Sequence, residues 1–138
     1  MHTVFTIATR GPGLTEITGQ VREWLQRGPG GDGVLTLMIR HTSASLLIQE
    51  NADPDVQVDL IEFLRRQVPM GDDPAMRWLT HTIEGPDDMP AHIKAMLLPT
   101  TLSIPVVEGR PMLGTWQGVY VVEHRTQPHR RNVVAMLR

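Results

Sequence analysis

Val34-Leu35-Thr36-Leu37-Met38-Ile39, running on into His41-Thr42-Ser43-Ala44-Ser45-Leu46 and then Glu50-Asn51-Ala52-Asp53-Pro54-Asp55, is the stretch on which the fold turns. Gly33 to Arg40 is apolar on both faces, which predicts a central strand. Its end delivers a basic, a hydroxylic and several acidic side chains within about fifteen positions. Polar groups that dense at the mouth of a buried strand need partners: they satisfy each other, or they hold something. Ser45 to Gln49 reads as a second strand after the His41–Ala44 turn. Asp53-Pro54 then opens a helix, since Asp caps and Pro suits the first turn. Val56, Leu60, Phe63 and Leu64 give that helix its apolar stripe.

Outward from this centre the punctuation is plain. Thr3 to Thr9 alternates as a strand does, and Gly11-Pro12-Gly13 breaks it. Leu14, Ile17, Val21, Trp24 and Leu25 fall at helical spacing, with Thr15 as the cap and Gly28-Pro29-Gly30-Gly31 as the stop. Residues 67–80 read as loop. Asp87-Asp88-Met89-Pro90 starts a third helix, carrying Ile93, Met96 and Leu97 as far as Pro99. Strands follow over roughly 100–107, 115–124 and 130–137, with Glu108-Gly109-Arg110-Pro111 turning between the first two. Strands outnumber helices in a mixed order. That predicts an α+β fold with antiparallel or mixed sheets and about three helices, not a doubly wound one.

Composition narrows the function. A chain of 138 residues is expected to form one domain, 1–138. With 41% hydrophobic and 20% charged residues it reads as globular, not disordered. A formal net charge of -2 offers no basic field for nucleic acid. There is no Cys, so any metal must sit on His, Asp or Glu. No apolar run reaches the roughly 20 residues of a membrane span. Met1-His2-Thr3-Val4-Phe5 also lacks the basic start and apolar core of a signal peptide. A cytoplasmic protein without membrane or nucleic-acid partners is expected.

Three polar groups can carry chemistry. Residues 78–92 place His81, Glu84, Asp87, Asp88 and His92 within twelve positions. Asp88 and His92 are one helical turn apart, and imidazole with carboxylate suits zinc, manganese or another divalent ion. The spacing is not the His-Glu-x-x-His of a metalloprotease. The plainer alternative is that Asp87 and Asp88 cap the helix and the histidines are surface residues. Along Gly114 to Arg125, period two sets Thr115, Gln117, Val119, Val121, Glu123 and Arg125 on one face. Glu123 and Arg125 would then pair or bind ligand charge, and Gly118 in mid-strand marks a close approach. Arg125, Arg130 and Arg131 put three guanidinium groups within seven positions, fit for phosphate or carboxylate. A solvated basic turn is the duller reading.

These pieces together resemble the YjbQ family. The resemblance is carried by His41 to Leu46, Glu50 to Pro54, Asp59, His81 with Glu84 and Asp87 to Lys94. Ser103 to Gly109, Gly114 to Gly118, Glu123-His124-Arg125 and Arg130-Arg131 complete it. Gln49 departs from the family's common Asn, Pro99 from a common Gly, and Gln127-Pro128-His129 from a Gly-rich turn. The resemblance implies an α+β fold with a β-sandwich-like core, a homotrimer, and a polar site near the subunit interface. It also implies a secondary thiamine-phosphate synthase activity, joining a pyrimidine diphosphate to a thiazole phosphate with loss of pyrophosphate.

Such a reaction needs neutralisation of the departing diphosphate, by a divalent metal and by Arg or Lys. On that basis His41, His81, His92, Glu84 and Asp88 are the expected ligands for zinc or magnesium. Thr42, Ser43, Thr115, Gln117, Arg125 and Arg131 are expected around a phosphorylated small molecule. His41, Ser43, His81 and Glu123 form the expected catalytic set, with Glu123 orienting an arginine or moving a proton. Ser43 as an acyl-transfer nucleophile ranks low, since no Gly-x-Ser-x-Gly elbow exists. The alternative is a trimer that binds metal or a phosphometabolite without turnover of its own.

Overall fold

A computed structural model describes residues 1–138. The chain runs β1 (His2–Thr9), β2 (Gly13–Glu16), α1 (Thr18–Gln26), β3 (Gly33–Ile39), β4 (Ala44–Glu50) and α2 (Pro54–Gln67). After a 3₁₀ turn at Pro74–Met76 come α3 (Asp88–Leu97), β5 (Thr101–Val107), β6 (Arg110–Pro111), β7 (Gln117–Glu123) and β8 (His129–Leu137). The strands form a five-stranded sheet, ordered β1-β8-β3-β5-β6, and a three-stranded sheet, ordered β2-β7-β4. Every pairing is antiparallel. The expected α+β architecture with three helices is therefore present, without parallel pairing.

Alternation along the strands builds the core between the sheets. Ile7, Leu35, Leu37, Ile39, Ile104, Val106, Val133 and Ala135 come from the larger sheet. Ala44, Leu46, Val119 and Val121 meet them from the smaller one, and Val21 and Leu25 of α1, with Ile17 just before it, close the side. The other face of the small sheet is covered in turn: α3 packs on β4 and α2 on β2. No helix is long and apolar enough to cross a membrane.

Two expectations need correction. The apolar spacing from Leu14 does not begin a helix. Gly13 to Glu16 pair with Glu123 to Tyr120 as β2, and α1 starts only at Thr18. The edge of β7 offers Leu14 and Thr15 backbone partners that a first helical turn would have to find elsewhere. β3 is central in its sheet, yet only Leu35, Leu37 and Ile39 are buried, while Val34 and Met38 stay about half exposed on the outer face.

Local chemistry explains the turns that matter. Glu108 and Gly109 both have positive φ, 49° and 73°, the geometry of a tight hairpin turn. That turn joins β5 to the short β6 before the chain crosses to the other sheet. At Gly118 a Cβ would lie 2.5 Å from Glu16 Oε2, so the missing side chain makes room for that carboxylate. Asp53 caps α2, its Oδ1 accepting from the Asp55 N–H at 2.9 Å. Asp53→Ala is expected to lower the unfolding free energy by about 1 kcal/mol in urea denaturation. A loss below a few tenths would show that the cap contributes nothing.

Candidate metal centre

α3 starts where Asp87 and Asp88 turn inward; Asp88 is 2% exposed. Asp87 occupies the cap position without making a side-chain cap bond, which removes capping as its main role. Asp88 Oδ2 lies 2.6 Å from His81 Nε2 and 3.2 Å from His92 Nε2, and Asp88 Oδ1 accepts from Arg125 Nη1 at 2.7 Å. The donor atoms of His81, Asp88 and His92 all fall within 4.8 Å of one another.

The hydrogen bonding says which nitrogen faces Asp88. His92 Nδ1 lies 2.8 Å from the Thr42 carbonyl oxygen, which can only accept, so the Nδ1–H donates there. In the neutral ring this leaves the Nε2 lone pair aimed at a carboxylate oxygen. A cation between them resolves that opposition, and an imidazole whose second nitrogen donates to a carbonyl is the usual arrangement of a metal-binding histidine. Two imidazoles and one carboxylate suit zinc or another first-row divalent ion better than magnesium, which prefers an oxygen shell.

Other expected ligands stand apart. Glu84 Oε2 is 3.9 Å from His81 Nε2 on an exposed turn, at the lip of the group. His41 is outside it, for a physical reason: its Nδ1 accepts from the Ser43 N–H at 3.1 Å and sits 3.0 Å from Ser43 Oγ. Its remaining nitrogen, Nε2, is the one left for a ligand. Burial, followed by the Arg131 charge, lowers the His41 pKa. His41, Thr42 and His92 line a cleft of about 660 Å³ with Met38, Met96 and Thr100.

Of the three arginines, Arg125 and Arg131 are already paired, and Arg130 is exposed. Arg125 Nε donates to Asp87 Oδ2 at 2.8 Å, so it joins the Asp87–Asp88 pair and not Glu123. Burial pushes the Asp87 carboxyl up, but hydrogen bonds from Arg125 and Thr126 outweigh it and hold the pKa at about 2. Arg131, 1% exposed, reaches across from the large sheet to Glu123 on the small one, with bonds of 2.8 Å and 2.6 Å. Arg131 also donates to Ser43 Oγ at 3.0 Å. Glu123 accepts in addition from Thr9 Oγ1 and from the backbone N–H groups of His124 and Arg125. Burial works against its charge, yet the bonds from Arg131 and Thr9 keep its pKa below the ordinary value.

Three sequence expectations are corrected by this arrangement. Glu123 and Arg125 do not pair side chain to side chain. Ser43 is 1% exposed and spends its hydroxyl between Arg131 and His41, in the wall and not in the cleft. Thr115 and Gln117 lie at the far end of β7, where Gln117 pairs with Glu50 and closes its own turn onto the Gly114 N–H. Gln117 and Glu123 are six residue steps apart along the strand, roughly 20 Å. His124, which entered the sequence reading only as part of Glu123-His124-Arg125, is buried with Nε2 2.9 Å from Ser45 Oγ. Burial, then the Lys94 charge, holds that imidazole at about 4.

Comparison with known proteins places this geometry in a wider set. The model of the UPF0047 protein YjbQ-like family matches residues 3–138. A UPF0047 protein of Synechocystis sp. is 47% identical over 131 residues, covering 95% of this chain and 86% of that protein. The UPF0047 protein YjbQ of Escherichia coli O157:H7 is 39% identical over 133 residues, 96% of this chain and 93% of its own. Among solved structures, a YjbQ/UPF0047 family protein of Clostridium acetobutylicum superposes with a TM-score of 0.86 at 31% identity, over 99% of both chains. A protein of Aeropyrum pernix K1 gives 0.87 at 29% identity, over 100% of this chain and 98% of its own.

Proposed function

This chain belongs to the UPF0047 YjbQ-like family, whose function is not established, and from that premise we propose that it is a divalent-metal protein whose cleft takes a phosphorylated small molecule. The observation that carries the reading is the convergence of His81 Nε2 and His92 Nε2 on one oxygen of the buried Asp88. When bound, a divalent ion supplies charge neutralisation for phosphate or diphosphate oxygens. The chain's own residues do the rest. Arg125 and Thr42 orient Asp88 and His92, and His41 presents Nε2 to the cleft as the group able to move a proton. Formation of thiamine phosphate with loss of pyrophosphate, as a secondary activity, is the instance that the family resemblance implies. A trimer is proposed on the same basis.

A second reading, a metal- and phosphometabolite-binding protein without turnover of its own, has one observation in its favour. Glu123, the acid–base candidate, is sealed and saturated with donors. Zinc-equilibrated, untagged protein should carry about one divalent ion per chain by plasma mass spectrometry. His81→Ala and His92→Ala should lose it. Wild-type protein that remains free of metal would overturn the proposal. Thiamine-phosphate formation abolished by a chelator and by His41→Ala would favour the enzyme over the binder. Metal binding without any turnover of the two precursors would favour the binder.

A further inference from the structure

α3 carries different chemistry on its two sides. Asp88 and His92 share one face, whereas Lys94, two residues further on, is about 200° round the helix. It is the only lysine in a chain of 13 basic Lys and Arg residues, and it is 8% exposed. Its ammonium nonetheless makes no hydrogen bond and no ion pair with the protein, although its backbone carbonyl accepts from Leu98 N–H. Its one acidic neighbour, Asp87, acts on it only through space, and the Asp87 oxygens are taken by Arg125 and Thr126.

No fully occluded side-chain nitrogen or oxygen in the chain lacks a hydrogen-bond partner. The unpartnered Lys94 Nζ must therefore reach open space, and the space that Lys94 lines is a cavity of about 650 Å³. His124 and Thr126 share its walls, and Arg65 and Arg66 stand there as well. Both arginines are exposed and paired with Glu62. Of the two acids lining it, Asp73 is engaged in capping the Pro74–Met76 turn, its Oδ1 accepting from the Ala75 N–H at 2.8 Å.

We propose that this cavity is a binding site for a small organic anion, whose carboxylate or phosphate oxygens accept from Lys94 Nζ at the buried end while Arg65 and Arg66 attract it from outside. A buried ammonium without a counter-charge is expensive, and an anionic ligand removes that expense. A lysine fits the task because it is a compact charge with rotatable donors, able to follow one anionic group without the planar geometry an arginine demands. The site needs neither the metal nor the His41 cleft, so it stands or falls separately from them.

The single lysine provides its own reporter. In protein labelled with carbon-13 lysine and freed of metal by chelator, one Cε resonance belongs to Lys94. Titration at constant ionic strength with inorganic phosphate, and separately with acetate, should move that resonance saturably for at least one of them. The anion that saturates it first identifies the head group. By calorimetry Lys94→Met should bind that anion about tenfold more weakly or worse, while His92→Ala should bind it as wild type does. Because the site is built for a ligand and not for stability, Lys94→Met should also melt no lower than wild type. Displacements that grow linearly with both anions would overturn the proposal, as would binding undiminished in Lys94→Met. Should that variant fail to fold, the titration of the labelled wild type decides alone.

Discussion

Arg131→Met is expected to lower stability by about 3–5 kcal/mol, the largest loss anticipated for any single change at the site. Arg131 and Glu123 are 1% and 2% exposed and joined by two hydrogen bonds, so neither charge has water to fall back on. Removing the guanidinium leaves Glu123 with donors from Thr9 and two backbone N–H groups, but with no counter-charge. The penalty belongs to the stranded carboxylate more than to the lost contact. Adding Glu123→Gln to Arg131→Met should therefore recover a substantial part of the loss. Urea denaturation of the single and double variants at neutral pH tests this. A single-variant loss under about 1 kcal/mol, or no recovery in the double, would mean that Arg131 is not needed to compensate the buried Glu123 charge. Since Arg131 also holds Ser43, which holds His41, the same variant should loosen the cleft.

Acid should weaken the fold well before its carboxylates titrate. His124 has a folded-state pKa of about 4 against an ordinary 6.5, because burial and the Lys94 charge disfavour its protonated form. The unfolded chain takes up that proton more readily, so the stability is complete above pH 6.5 and drains away as pH falls towards 4. About two and a half pH units correspond to about 3 kcal/mol. Asp87, held at about 2, adds a second loss that begins only below the ordinary carboxylate value of 3.8. His124→Gln keeps a polar partner for Ser45 and removes the first of these losses. Denaturation curves of metal-free protein at pH 7, 5 and 4 should fall more steeply for wild type than for the variant. His41, whose pKa is also depressed, contributes a slope of the same sign to both. Parallel curves would exclude His124 as the acid-sensitive group.

Much of this architecture was legible in the residues, for reasons that can be named. The terminal strand, β3, β4, α2 with its Asp53-Pro54 start, and the last three long strands each carry a local signal that tertiary context did not override. β2 was not legible, because Leu14 and Ile17 happen to fall at helical spacing and only the distant β7 reveals the pairing. Asp88 and His92 were legible as a pair, one turn apart, while His81 joined them through a loop. Partners across the sandwich were not. Nothing local links Thr9, Glu123 and Arg131, and period two on β7 even suggested Arg125 as the partner of Glu123. The strand ends at Glu123, whose carboxylate accepts the two following backbone N–H groups, and the alternation stops with it.

β1 pairs with β8 along its whole length, from His2 opposite Met136 to Thr9 opposite His129. Seen in time and not in space, that pairing closes a loop of about 120 residues, the kind of contact whose entropy is lost before any reward arrives. Sheet proteins dominated by such distant pairings fold over milliseconds to seconds. Two of the groups that satisfy Glu123 ride on these strands: Thr9 on β1 and Arg131 on β8. Arg131 lies only eight residues from Glu123 and reaches it without help from the first strand, whereas Thr9 arrives only when the ends of the chain meet, so the polar hub is completed by that distant pairing. A chain whose first strand has not yet docked would then carry the Glu123–Arg131 pair without the Thr9 hydroxyl that completes it.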